Sequence, residues 1–134
     1  MSSSEQPDTS ALGTTNVFSG FAVPDIDAAR DFYRDTLGLE ISDQDGMLGI
    51  QLPRGGEVLV YPKPDHAPAT YTVLNLDVSD IDAAVDELTA RGVTFERYDG
   101  FEVDDKGVAR GDMGPPIAWF TDPAGNIMSV MQTA

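Results

Sequence analysis

The sequence predicts an α+β domain built from two tandem βαβββ modules. Three observations predict it. A seven-residue stretch occurs twice, as Val-Pro-Asp-Ile-Asp-Ala-Ala at 23–29 and Val-Ser-Asp-Ile-Asp-Ala-Ala at 78–84. Each copy joins an apolar, strand-like run to an amphipathic segment that ends at a glycine, Gly38 or Gly92. The spacing is also kept: Asp25 precedes Asp80 by 55 positions and Gly38 precedes Gly92 by 54. Self-similarity of this kind marks a duplicated structural unit.

The repeated stretch reads as a strand turning into a helix. Asp25 and Asp80 sit where a side chain caps the free amides of the first helical turn. Asp27 and Asp82 follow at the positive end of the helix dipole. Ile26, Ala29, Phe32, Tyr33 and Leu37 form one apolar stripe; Ile81, Ala84, Val85 and Leu88 form the other. In the first module we expect a strand at 16–23, a helix at 26–36, and strands at 39–41, 47–52 and 57–61. Asp45-Gly46 marks a tight hairpin turn. Pro62, Pro64 and Pro68 make 63–69 a stiff linker. In the second module we expect a strand at 71–78, a helix at 80–91, and strands at 93–98, 117–120 and 127–131. The last two are joined by Asp122-Pro123-Ala124-Gly125-Asn126, which suits a type I turn. The modules therefore span 16–62 and 70–134, with residues 1–15 read as a disordered, Ser/Thr-rich tail.

The second half carries about 15 residues more than the first, between Asp99 and Gly114. A loop this long is more often functional than decorative, and its glycines and charges suit a flap over a cavity mouth. It holds Phe101, Lys106, Arg110 and Asp112. The two cations either hold an anionic ligand group or pair with nearby acids.

Charge and composition exclude several classes of function. The formal net charge is −15 and the pI about 4.1. Nucleic acid and anionic membranes are poor partners, whereas cationic ligands are not. There is no cysteine, so disulfides and thiolate chemistry are absent. No apolar run approaches the roughly 18–20 residues a membrane helix needs. We expect a soluble, cytoplasmic protein.

Two βαβββ units, with Phe32-Tyr33-Arg34-Asp35-Thr36-Leu37-Gly38-Leu39 in one and Asp122-Pro123-Ala124-Gly125-Asn126 in the other, resemble the vicinal oxygen chelate superfamily. That group includes glyoxalases, extradiol dioxygenases and bleomycin-resistance proteins. The resemblance covers about residues 16–132 and implies a concave cavity shared by both modules, and a homodimer. It also implies metal ligands on the first and last strand of each module. Phe18, Val60, Val73 and Ser129 occupy those positions here, and they form a poor donor set. No metal or cofactor is expected.

Strand alternation places Val73, Asn75 and Asp77 on one face of their strand, with Ser129 joining them from the last strand. These residues, with Phe18, Val60, Phe101, Arg110, Asp112 and Trp119, form the candidate ligand-binding set. Trp119 either stacks on a ligand or packs in the core. His66, the only histidine, has no evident partner. Three functions stay open. One is a drug-sequestering protein for a cationic or drug-like molecule. Another is a glyoxalase-like lyase or isomerase using Asp77 and Asp112 as acid or base. The third is a regulatory or scaffolding domain whose cavity is filled.

Overall fold

The computed structural model describes residues 11–111 and 114–134. Most of the proposed N-terminal tail, 1–10, therefore lies outside the described residues, as does Asp112. The first module runs β1 (Ser19–Val23), α1 (Ile26–Asp31), β2 (Glu40–Gln44), β3 (Met47–Gln51) and β4 (Glu57–Pro62). The second runs β5 (Thr72–Asp77), α2 (Ile81–Ala90), β6 (Phe95–Glu96), β7 (Ile117–Thr121) and β8 (Ile127–Met131). Each module makes a four-stranded mixed sheet, ordered β1-β4-β3-β2 and β5-β8-β7-β6. The α+β, tandem βαβββ reading holds.

Local chemistry accounts for the boundaries. Asp25 and Asp80 each accept a hydrogen bond from the amide three residues on, Ala28 and Ala83, both at 3.1 Å. The Asp45-Gly46 turn has both residues at positive φ, 51° and 85°, as a two-residue hairpin of this twist requires. Helix α1 continues as a π-helical turn, Phe32–Thr36, closed by Leu37 N–H donating to Phe32 O at 3.0 Å. Phe32 and Tyr33, adjacent in sequence, both pack against the core, with ring centres 5.3 Å apart. The first strand is shorter than expected. Val17 and Phe18, 84% and 57% exposed, precede the pairing with β4.

One apolar core serves both modules. Phe21, Val23, Leu48, Ile50, Val58 and Val60 from the first sheet join Ala118, Phe120, Met128 and Val130 from the second. Helix α1 bridges them: Phe32 lies 6.3 Å from Phe120 between ring centres, and Tyr33 lies 5.8 Å from Phe21.

A buried polar clamp closes the same junction. Tyr33 donates its hydroxyl to Asp122 Oδ2 at 2.6 Å. The Asp122 carboxylate also accepts from Asn126 Nδ2 at 3.0 Å and from the amides of Ala124 and Asn126 at 2.9 and 2.8 Å. Asn126 Nδ2 in turn reaches Ala22 O on β1 at 2.9 Å.

The long loop is largely docked, not the free flap its composition suggested. Asp104 Oδ1 accepts from the amides of Lys106 and Val108, both at 2.9 Å, and Arg97 holds the carbonyls of Asp104 and Asp105. Lys106 and Arg110 tie the loop to α2 through Asp86 and Asp82. Val108 is buried, and Ala109 pairs with Ile117. Among the described residues no helix is long and apolar enough to cross a membrane.

The clamp yields a stability prediction. Burial first, then the Asp122 charge and hydrogen bond, push the Tyr33 phenol far above its usual range. The unfolded chain therefore ionises at this tyrosine first. The contribution is complete below about pH 10 and fades as the pH rises beyond it. Tyr33→Phe should cost about 1–3 kcal/mol at neutral pH, by leaving a buried acceptor short of a donor. Its deficit relative to the parent should narrow above about pH 10. Urea denaturation on both sides of that pH measures this; no deficit at neutral pH, or one that widens with pH, would contradict the clamp.

Candidate ligand-binding face

Each sheet has one face against the helices and one face free of them. In the second sheet, alternation buries Ala118, Phe120, Met128 and Val130 under the helices. Ile117, Trp119, Thr121, Ile127, Ser129 and Met131 take the other face. There Trp119 stands opposite Ser129 in the β7–β8 register, and Asn75 stands beside Ser129 on β5. Ser129 Oγ donates to Asn75 Oδ1 at 2.6 Å. The Trp119 ring lies 4.8 Å from Phe101 and 5.8 Å from Tyr98 between ring centres. Tyr98 has its phenol pKa raised by burial, then by Glu96. The start of the long loop thus adds an aromatic wall to the helix-free face.

The structure brings together part of the sequence-derived set and separates the rest. Asn75, Ser129, Trp119 and Phe101 converge. Phe18 is exposed just ahead of β1. Val73 is half-buried next to a register shift in β5 and packs against the core. The Asp77 carboxylate holds the C-terminal residues, accepting from the Thr133 amide at 3.0 Å and from its hydroxyl. Those Thr133 contacts keep its pKa below the usual range. The Arg110 guanidinium binds Asp104 and Asp82 at 3.0 and 2.6 Å, on the α2 side. His66 lines a cleft with Tyr61, Tyr71 and Val73, its Nε2 buried without a partner among the described residues.

Val60 does not reach the helix-free face. It is fully buried in the core, paired with Phe21 and Leu48. The reason is a one-residue offset between the modules. Leu52 N–H bonds Gly56 O and Gly55 N–H bonds Leu52 O, repeating the Asp122–Asn126 and Gly125–Asp122 bonds of the second module. Gly55, not Gly56, therefore matches Gly125, and Leu59 matches Ser129. A slip of one residue in a strand exchanges its faces.

Several residues of the face escaped the sequence reading. Tyr98 is one; Ser42, Gln44, Gln51 and Glu57 of the first sheet are others. The signal was available in the polar alternation of β2, β3 and β4, opposite Leu48, Ile50, Val58 and Val60.

The donor set does not fit a metal ion of the kind the resemblance implied. Phe18 and Val73 have no donor atoms, Leu59 stands where Ser129 has a counterpart, and the Ser129 hydroxyl is spent on Asn75. Among the described residues no group of three or more His, Cys, Asp or Glu side chains converges.

A family model described as the Glyoxalase/Bleomycin resistance protein/Dioxygenase superfamily matches residues 15–130. The chain belongs to this superfamily. Among solved structures it is similar to TnmS3, an antibiotic binding protein from Streptomyces sp. CB03234. That match has 26% identity and a TM-score of 0.65, covering 90% of this chain and 98% of the other. A glyoxalase/bleomycin resistance protein from Catenulispora acidiphila is 27% identical at a TM-score of 0.60, covering 90% and 100%. A lactoylglutathione lyase from Agrobacterium tumefaciens shares the fold at 21% identity and a TM-score of 0.63, covering 89% and 94%. No curated protein sequence matches the chain.

The missing donors can be tested by restoring one. Ser129→Glu places a carboxylate at a fully buried position. It should destabilise the protein by about 1–3 kcal/mol, as an unpaired buried polar group does, and tend to stay protonated. Thermal melts with and without zinc or nickel check it. Parent-like stability together with a large metal-dependent rise in melting temperature would show that other donors are present.

Proposed function

We propose that this member of the superfamily binds a small organic molecule, without a metal, against the helix-free face of β7 and β8. The observation that carries this reading is the Trp119–Phe101–Tyr98 cluster beside the Asn75–Ser129 pair. Three aromatic rings next to a few polar groups form a surface for an aromatic or drug-like ligand. The likeness to an antibiotic binding protein supports it, and the charge of −15 favours a cationic compound. The lyase reading has less support, because Asp77 is engaged with Thr133. Glu96, opposite Trp119 in the β6–β7 register, is the carboxylate that this reading would have to use.

The protein acts in this reading as a homodimer. Strands β1 and β5 each end a sheet, and among the described residues no strand pairs with their outer edges. Val17, Phe18 and Tyr71 lie exposed next to those edges. A second copy would cover them and wall in the helix-free faces.

Trp119 is the only tryptophan, so its fluorescence reports on the face directly. Titration with cationic, neutral and anionic aromatic compounds should give saturable quenching by at least one class, unchanged by excess EDTA. Trp119→Ala, followed by calorimetry, should weaken that binding by about tenfold or more. Binding abolished by EDTA, or unaffected by Trp119→Ala, would contradict the proposal.

A further inference from the structure

We infer that the helix-free face of the first module holds a receptor for an organic ammonium, amidinium or guanidinium group, centred on the Glu57 carboxylate. The inference rests on the small-molecule reading above and names the charge class of its ligand. Alternation places Glu57, Gln44, Gln51 and Ser42 on that face. Gln44 Nε2 donates to Glu57 Oε2 at 2.8 Å, and Gln51 Nε2 to Glu57 Oε1 at 3.2 Å. Both amides also reach Ser42 Oγ at 3.1 Å. The two carboxylate oxygens are thus held in a fixed plane by neutral donors, and the charge stays uncompensated. Arg30, Arg34, Lys63, Arg91, Lys106 and Arg110 pair with other carboxylates, and none pairs with Glu57 among the described residues.

Glu40, Asp45, Glu96, Asp99, Glu102 and Asp105 also pair with no cation among the described residues. Glu57 differs from them in that two side-chain amides hold its carboxylate in one orientation. Each of its oxygens accepts one hydrogen bond and has room for another. The Gln44 and Gln51 side-chain oxygens accept none among the described residues and stand beside it. A planar amidinium or guanidinium can take a carboxylate through two parallel hydrogen bonds, stronger than neutral ones. Met47, Leu59 and Tyr61 share the face and supply apolar surface for the body of the ligand.

Gly49 makes the arrangement possible. A Cβ there would lie 2.5 Å from Gln44 Nε2, 2.7 Å from Ser42 Oγ and 3.0 Å from Glu57 Oε2. The cluster closes over the space a side chain would fill. All three atoms are ends of flexible side chains, and Gly49 is not in the left-handed backbone region. Gly49→Ala should therefore fold normally while pushing the cluster apart, with no change in charge.

The test titrates the parent, Glu57→Gln and Gly49→Ala with benzamidinium and with benzamide, its neutral analogue of the same shape. Calorimetry reads affinity, nuclear magnetic resonance reads the Gln44 and Gln51 side-chain amides, and circular dichroism checks folding. The parent should prefer benzamidinium by about tenfold and shift both amides on binding it. Both variants should bind benzamide as the parent does and lose the preference. Equal affinity of the parent for the two compounds overturns the receptor and leaves the small-molecule reading standing. A preference kept in Gly49→Ala assigns it to the general acidic surface and overturns the receptor. Amide shifts with calcium and none with benzamidinium assign the cluster to a metal ion and overturn it too. Binding of neither compound overturns the receptor, and Trp119 titration with other compounds then judges the wider reading on its own.

Discussion

The carboxylate of Asp122 is the constraint on which the arrangement of the two modules depends. It is 4% exposed and has no cation beside it among the described residues. A buried charge is strongly unfavourable unless its hydrogen bonds are made, so its donors have to be held in place. Two come from its own turn and one from Asn126. The fourth is Tyr33, 89 positions away on the far side of the module boundary. The Asp-Pro-x-Gly-Asn turn therefore does more than reverse the chain. It fixes the end of the second sheet against α1 and, through Asn126, against β1. With both helices committed to one shared core, the opposite faces of both sheets are left uncovered, and those faces carry the polar and aromatic side chains.

The duplication is not symmetric in chemistry. Leu52 occupies the position of Asp122, and Gly56 that of Asn126. Leu88, 55 positions after Tyr33, has no hydroxyl to donate. Where one module is clamped, the other leaves a groove of about 450 Å³ lined by Leu39, Leu52, Leu74, Leu76 and Val78. The two helix-free faces also differ. At matched positions the second carries Asn75, Ser129 and Trp119, while the first carries Gly20, Leu59 and Gly49. One face is aromatic and the other acidic, so a ligand meeting both would need an aromatic body and a cationic end.

The fold was legible because it rests on local rules that repeat. The capping Asp residues, the Asp-Gly hairpin and the apolar stripes each gave an element close to its observed bounds. The site was legible in part. Asn75, Ser129 and Trp119 follow from alternation once the strands are placed. Val60 was misplaced because aligning the two turns on Gly56 instead of Gly55 shifts the register by one, a detail settled by hydrogen bonds and not by residue type. The docking of residues 99–111 was hidden for a related reason. Composition shows charges and glycines, but not that Asp104 binds two amides of its own loop or that Lys106 and Arg110 find acids on α2. The Tyr33–Asp122 pair was likewise invisible, since nothing local links residues so far apart in the chain.

The central claim is that ligand recognition lies on the helix-free sheet faces and needs no metal. A crystal structure of the protein with an aromatic amidinium compound tests it most directly. The account predicts the molecule on those faces, with its charged end at Glu57 or its ring against Trp119, and no metal at Ser129. A molecule found only in the groove between Leu52 and Leu76, or bound through a metal ion, would contradict it.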